Sequence, residues 1–314
     1  MKPDTIDVSV VIPVSERYDD IKNTYKNYIE VLRGLDKNFE VIYVLDGEFP
    51  EVRAALEELQ NDGEPITIVQ LAKWFGEATA LTAGFDNARA DIILTLPAYN
   101  QVEAQEIPKV LGSLETHDMA IARRWPRVDS KINQLQSKVF HGLLNFITGS
   151  EFKDLGCGVR AFKRQVVAEI PVYGDQHRFF PVLASRRGFK IAEVDIPQSK
   201  QDSNLRLYST GVYPRRLLDI MTIFFLVKFT KKPLRFFGLI GLGTFAIGGV
   251  ILLFLVIERL FIGGALADRP ALLLSSLLVV LGVQIFALGL IGELIIFTHA
   301  KQLKEYTVEE IVNE

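Results

Sequence analysis

The chain has 314 residues, 49% hydrophobic and 23% charged, with 35 Lys and Arg against 38 Asp and Glu for a net charge of −3. That apolar content excludes a disordered or fibrous protein, and the balanced charge gives no footprint for nucleic acid. The single cysteine excludes an internal disulfide framework and suits a reducing compartment; the four histidines, His117, His141, His177 and His299, are too scattered for a histidine-rich zinc site.

The first 200 or so residues alternate short β-branched runs with helical stretches. Strands are expected at Val8–Ile12, Glu40–Leu45, Ile66–Leu71, Asp91–Leu96 and Met119–Ala122. Helices are expected between them, at Ile21–Leu32, Glu51–Gln60, Glu77–Ala88 and Glu106–Glu115. Such alternation implies a mostly parallel α/β sheet covered on both faces. No signal peptide is expected, because the run Val8 to Val14 is short and follows Asp4 and Asp7.

Ligands in these folds bind beyond the carboxyl ends of the strands. There the chain places Pro13 and Glu16, then Asp46-Gly47, then Lys73-Trp74-Phe75-Gly76, and the basic run Arg123-Arg124-Trp125-Pro126-Arg127 with Lys131. An Asp-Gly turn is expected to face its carboxylate into the crevice. No GxxxxGK[ST] loop exists, and the GxGxxA at Gly241–Ala246 lies inside an apolar run that follows no strand. Cys157, between two glycines, reads as a small buried residue, since no adjacent base would make it a nucleophile.

The C-terminal part reads as membrane. Leu217 to Phe229 is apolar but short, with basic flanks, as expected of an interfacial helix. Phe236 to Ile257 carries no charge and would reach roughly 33 Å as a helix, enough for a hydrocarbon core. Ala271 to Phe297 is interrupted by Gln284 and Glu293, and Glu293 is expected to face protein or the interface. Thr244 and Gly248 are candidates for close helix contact. Basic residues crowd the outer ends of the pair (Arg215, Arg216, Lys228, Lys231, Lys232 and Arg235 before it, His299, Lys301 and Lys304 after it), so both termini are expected to be cytoplasmic.

Several motifs resemble family-two glycosyltransferases: Ser9-Val-Val-Ile-Pro13-Val-Ser-Glu16, Asp46-Gly47, and Phe75-Gly76 followed by Ala80 and Gly84. Asp154-Leu-Gly-Cys-Gly158-Val-Arg160-Ala-Phe162, His177-Arg178-Phe-Phe-Pro181, Gly188-Phe-Lys-Ile-Ala-Glu193-Val and Pro233-Leu-Arg-Phe-Phe-Gly238 are similar to the membrane-anchored, polyprenyl-phosphate members. The resemblance implies a cytoplasmic GT-A (Rossmann-like) domain at 1–210 and a juxtamembrane interfacial helix at 211–232. Beyond these it implies two transmembrane helices within 233–300 (about 236–257 and 271–297) and a cytoplasmic tail at 301–314. It also implies transfer of a sugar from a nucleotide-sugar to a polyprenyl phosphate, with inversion, at the cell membrane.

One departure matters. After the fourth strand the family carries Asp-x-Asp, which holds Mg²⁺ or Mn²⁺ on the donor diphosphate, whereas here Pro97 and Tyr99 stand at the two aspartate positions and only Gln101 matches. Metal binding should be weakened, with Glu103 or Glu106 the substitutes within reach. Expected donor-binding residues are therefore Pro13, Glu16, Asp46, Lys73, Gly76, Tyr99 and Gln101. Arg123, Arg124 and Asp154 are expected to be catalytic, the arginines meeting the leaving diphosphate. Arg127, Lys131, Lys200 and Arg206 are expected to hold the acceptor phosphate. Self-association through the hairpins is a further expectation. A second reading, from the same missing aspartates, is a catalytically silent membrane scaffold or regulator that still binds nucleotide or lipid.

Overall fold

The computed structural model describes residues 6–15, 17–128, 134, 137–138, 142, 144–145, 149–170, 174–205, 221, 233–262 and 270–299. These fall into two compact units, one up to residue 221 and one from residue 233. The expected interfacial helix at 211–232 and the tail at 301–314 lie outside the described residues, apart from Met221.

In the first unit the strands are β1 (Val8–Val14), β2 (Phe39–Leu45), β3 (Ile66–Gln70), β4 (Ile92–Thr95), β5 (Met119–Arg124), β6 (Arg160–Lys163) and β7 (Ile191–Ile196). They form one sheet in the order β3-β2-β1-β4-β6-β5-β7. All pairings are parallel except those of β6, which runs against both β4 and β5. The helices are α1 (Ile21–Arg33), α2 (Pro50–Asn61), α3 (Glu77–Asn87), α4 (Ile107–Gly112), α5 (Arg164–Glu169) and α6 (Phe180–Arg186). The helix expected over Glu106–Glu115 is shorter, with single 3₁₀ turns on either side at Ala104–Glu106 and Ser113–Glu115.

β1 is buried at every position, as its unbroken run VSVVIPV requires of a central strand covered on both faces. Pro13 is tolerated there because β1 pairs with β4 only from Val8 to Val11, so the missing N–H falls beyond that ladder. α1 starts at Asp20, whose carboxylate accepts from the Asn23 N–H, and it buries Ile21, Tyr25, Tyr28, Ile29 and Leu32 along one stripe. α3 lies unusually close to the sheet. A Cβ on Gly84 would stand 2.3 Å from Val11 Cγ1, so only glycine fits.

The reversed strand β6 sets the site. Because it is antiparallel, its start at Arg160 lies beside Thr95 at the carboxyl end of β4. The segment leading into it, residues 154–159, is thus delivered to the same edge as the loops after the parallel strands.

In the second unit α7 (Pro233–Ile262) and α8 (Pro270–His299) are each long and apolar enough to cross a membrane. Both exceed the expected spans, with Glu258 and Arg259 inside the last turns of α7. They meet through glycine: a Cβ on Gly282 would lie 2.7 Å from the Gly241 carbonyl oxygen, and one on Gly248 would lie 2.8 Å from that of Ser275. In lipid, where apolar burial drives little association, such close backbone approach supplies the packing. The Thr244 hydroxyl donates to the Ile240 carbonyl on its own helix. The Glu293 carboxylate accepts from the Leu234 N–H at 3.3 Å, so it caps a free donor in the first turn of α7, as expected of a charge facing protein.

Candidate active site

The Asp46-Gly47 turn follows β2. Asp46 is 1% exposed, and its two carboxylate oxygens accept from the Phe75 N–H (2.7 Å) and the Gly76 N–H (2.9 Å). The carboxylate is therefore turned onto the loop that starts α3, and not into the crevice as the turn chemistry suggested. Gly76, at φ +100°, makes the bend that exposes these donors, a conformation that favours glycine. Lys73, Trp74 and Phe75 remain exposed, with Lys73 Nζ 5.3 Å from the centre of the Phe75 ring.

The loop after β4 holds the positions where the family places its metal. Pro97 is buried, and the carbonyls of Pro97 and Tyr99 both accept from the Tyr28 hydroxyl of α1. Gln101, 1% exposed, donates to the Tyr99 hydroxyl (3.0 Å) and to the Gly156 carbonyl, while its carbonyl oxygen accepts from the Gly158 N–H (2.7 Å). It rivets the β4 loop to the 154–158 segment. These residues do not fit a divalent cation. Proline and tyrosine supply no carboxylate, both polar atoms of Gln101 are committed, Glu103 is exposed, and among the described residues no three His, Cys, Asp or Glu side chains gather as metal ligands.

Arg123 and Arg124 end β5, and strand alternation sends them to opposite faces. Arg123 is 22% exposed, pairs with Asp195 at 3.2 Å and lies over the Trp125 ring. Arg124 is 3% exposed and makes a two-pronged pair with Asp154, Nε and Nη2 each donating at 2.7 Å, while its own N–H donates to the same carboxylate at 3.1 Å. Burial alone would raise the Asp154 carboxyl, but the Arg124 charge and hydrogen bonds outweigh it and hold Asp154 well below the usual carboxylate range. Arg124 thus spends Nε and Nη2 on Asp154, and its Nη1 is buried without a hydrogen bond; so deep an ion pair suits a positioning role better than the expected contact with a diphosphate. The Lys153 and Asp154 N–H groups donate to Glu193 of β7, and Arg160 donates to the carbonyls of Leu155 and Cys157, so the segment is held from three sides.

The pairing continues through residues that the sequence did not single out. Arg124 Nη1 lies 3.6 Å from Asp202, a fully buried residue in the 3₁₀ segment Lys200–Leu205. Asp202 accepts from Gln198 Nε2 (2.6 Å) and from Arg17 Nη1 (2.8 Å), and the Arg17 guanidinium carbon sits 3.9 Å above the centre of the Tyr99 ring. Asp154, Arg124, Asp202 and Arg17 so form a charge-balanced chain across the carboxyl edge of the sheet.

Cys157 is buried, its thiol pushed up to about 11 chiefly by desolvation, which removes it as a nucleophile. Burial would also raise Glu77, the first residue of α3, but His177 at 3.2 Å, with Arg178 and Arg160, holds it down to about 2. Arg127 donates to the Ser137 hydroxyl at 2.9 Å, and Lys200 is exposed. Glu16, Lys131 and Arg206 lie outside the described residues.

Residues 9–170 match the model of Glycosyl transferase family 2. The chain is 24% identical to the dodecaprenyl-phosphate galacturonate synthase of Rhizobium johnstonii, over 99% of this chain and 94% of that protein. It is 30% identical to the undecaprenyl-phosphate 4-deoxy-4-formamido-L-arabinose transferase of Pectobacterium carotovorum, over 100% and 96%. Among solved structures, glucosyl-3-phosphoglycerate synthase of Mycobacterium tuberculosis, crystallised with Mn²⁺ and UDP-glucose, shares the fold at a TM-score of 0.51 and 14% identity, over 70% of this chain and 78% of that one. The first unit is thus a GT-A sheet, and the chain belongs to glycosyl transferase family 2.

Proposed function

We propose that the chain moves a sugar from a nucleotide-sugar to a polyprenyl phosphate at the cytoplasmic face of the membrane, inverting the anomeric carbon. The observation that carries this reading is the end-to-end likeness to two polyprenyl-phosphate sugar enzymes, which runs on through α7 and α8. A soluble donor and a bilayer-held acceptor call for a catalytic unit tethered to the membrane, and the basic residues outside both spans favour the cytoplasmic side.

The acceptor is a phosphate monoester with a second pKa of about 6, so it is largely ionised at neutral pH and needs no protein base. One of its oxygens attacks the anomeric carbon, the bond from that carbon to the donor diphosphate breaks, and the nucleoside diphosphate departs with the electron pair. The protein has to align two anions and meet the charge that grows on the leaving group. Arg123, Arg127 and Lys200 are the described cations at the ends of β5 and β7 that we assign to phosphate, and Lys73 with the Gly76 bend to the donor. Arg124 and Asp154 hold this edge in shape. Because the Asp-x-Asp positions do not fit a metal, no step is assigned to one. The silent-scaffold reading rests on those missing aspartates alone, while the relatives above are named as sugar synthase and transferase.

The test is transfer itself. Purified full-length protein in detergent, given a short polyprenyl phosphate and a panel of radiolabelled nucleotide-sugars, is expected to form labelled lipid. No labelled lipid from any donor, in Mg²⁺, Mn²⁺ or EDTA, overturns the proposal.

A further inference from the structure

We infer that Arg17 does at the donor diphosphate what a divalent cation does in metal-dependent relatives. The inference takes its substrate, a nucleoside diphosphate carrying a sugar, from the transferase reading above. Its geometry is independent of that reading.

Tyr99 stands where the resemblance places the second metal-holding aspartate, and the Arg17 guanidinium is stacked on its ring at 3.9 Å. A fixed cation therefore lies directly over the residue that replaced a metal ligand. The platform is rigid, since Gln101 holds the Tyr99 hydroxyl and is itself held by the Gly158 N–H. Arg17 engages Asp202 through Nη1 alone, and its Nε and Nη2 are buried without a hydrogen-bond partner. Buried donors in native proteins are nearly always satisfied, and two on one guanidinium mark a group whose partner arrives with a ligand.

The other arginines on this edge do not offer this. Arg124 gives Nε and Nη2 to Asp154 and keeps only Nη1, 3.6 Å from Asp202, without a hydrogen bond, and Arg123 pairs with Asp195. A guanidinium fork matches two phosphate oxygens at once, and it is permanently charged. Turning Arg17 from Asp202 to a diphosphate leaves that carboxylate supplied, because Gln198 donates to it at 2.6 Å and Arg124 Nη1 stands 3.6 Å away. Exchanging two aspartates and a divalent ion for Pro97, Tyr99 and one arginine keeps a cation at the diphosphate without a dissociable metal.

Calorimetry on the full-length protein tests this, with a panel of nucleoside diphosphates and the matching nucleosides, each in EDTA and in Mg²⁺. The wild type is expected to bind one diphosphate in EDTA, with less than about a threefold gain from Mg²⁺. Arg17→Met is expected to lose on the order of 10- to 100-fold for the diphosphate, the worth of charge-assisted hydrogen bonds, and nothing for the nucleoside, which also reports that the site is folded. Arg17→Lys, a point charge, should fall between them. Tyr99→Leu, which removes the platform and keeps the charge, should weaken the diphosphate and spare the nucleoside in the same way. Equal diphosphate binding by Arg17→Met and wild type, or binding that requires Mg²⁺, overturns the inference. Labelled lipid formed only with metal and unchanged in Arg17→Met would overturn it while leaving the transferase standing. Arg17-dependent diphosphate binding with no labelled lipid would do the reverse.

Discussion

If Arg124 positions and does not touch substrate, removing it together with Asp154 should be far milder than removing either. Asp154→Leu strands a guanidinium that is 3% exposed, with Asp202 as its nearest remaining anion at 3.6 Å. Arg124→Met leaves the Asp154 carboxylate buried with two N–H donors, those of residue 124 (3.1 Å) and Gly156 (3.3 Å), and no paired charge. Breaking a buried ion pair from one side costs about 3–5 kcal/mol, whereas replacing both partners by apolar groups is often near neutral. Each single substitution should therefore cost about 3–5 kcal/mol, the double about 0–2, and the coupling should reach about 5 kcal/mol. Urea unfolding followed by tryptophan fluorescence reads this cleanly, because Trp74 and Trp125 both lie in the first unit. Additivity of the two singles to within about 0.5 kcal/mol would refute the pair as described. The same three variants test the role. The double should retain measurable transfer, while an Arg124 that met the leaving diphosphate would leave the double as inactive as Arg124→Met.

Gly84→Ala places a Cβ 2.3 Å from Val11 Cγ1 and 3.2 Å from Val44 Cγ2. Overpacking of about 1–3 kcal/mol should exceed the helix-propensity gain of about 1 kcal/mol and lower the melting temperature of the first unit; an unchanged or raised value would contradict the close contact. In the hairpin, Gly282→Leu puts atoms within 2.5–2.7 Å of the Phe245 amide nitrogen and the Gly241 carbonyl oxygen, and should speed hydrogen exchange along α7. Glu77 is held down to about 2, below its ordinary 4.5, so its pairing stabilises the fold above that ordinary value and is lost as pH falls from about 4.5 towards 2. The melting difference between wild type and Glu77→Gln should be full at pH 6 and vanish near pH 2, and a difference constant with pH would show that no such pairing exists.

The parallel core was legible because burial on both faces forces continuous apolar runs such as Val8–Val14, and the helical pair because each of its two long runs is almost without charge. β6 and β7 were not read as strands. β6 is four residues that begin with Arg160 and end with Lys163, buried by its neighbours more than by its own pattern, and β7 (IAEVDI) carries two acids in six residues. At the site, Asp154 and Arg124 were picked out singly, but nothing local announces a pair separated by 30 residues and joined only when β6 reverses the chain. Alternation along β5 was the available signal that Arg123 and Arg124 cannot share one task. For Arg17 the signal was weaker still, one cation after β1 whose carboxylate partner lies 185 residues away.

The loss of the two metal aspartates, read alone, looks like decay, and it is what made a silent scaffold conceivable. The structure gives a reason to read it differently. Decay would leave the substituted positions themselves without partners, at a cost in stability. Here Pro97 is buried with its carbonyl satisfied by Tyr28, Tyr99 is gripped at its hydroxyl by Gln101, and a cation from another loop is stacked on its ring. The carboxylate that balances that cation comes from the segment after β7, and it also faces the buried Arg124–Asp154 pair. Substitutions at 97 and 99 are thus matched by residues at 17 and 202 from opposite ends of the unit. Such matching keeps charge neutrality within the buried chain while leaving two Arg17 donors unspent. A scaffold has no use for those two donors; a site that binds a dianion does.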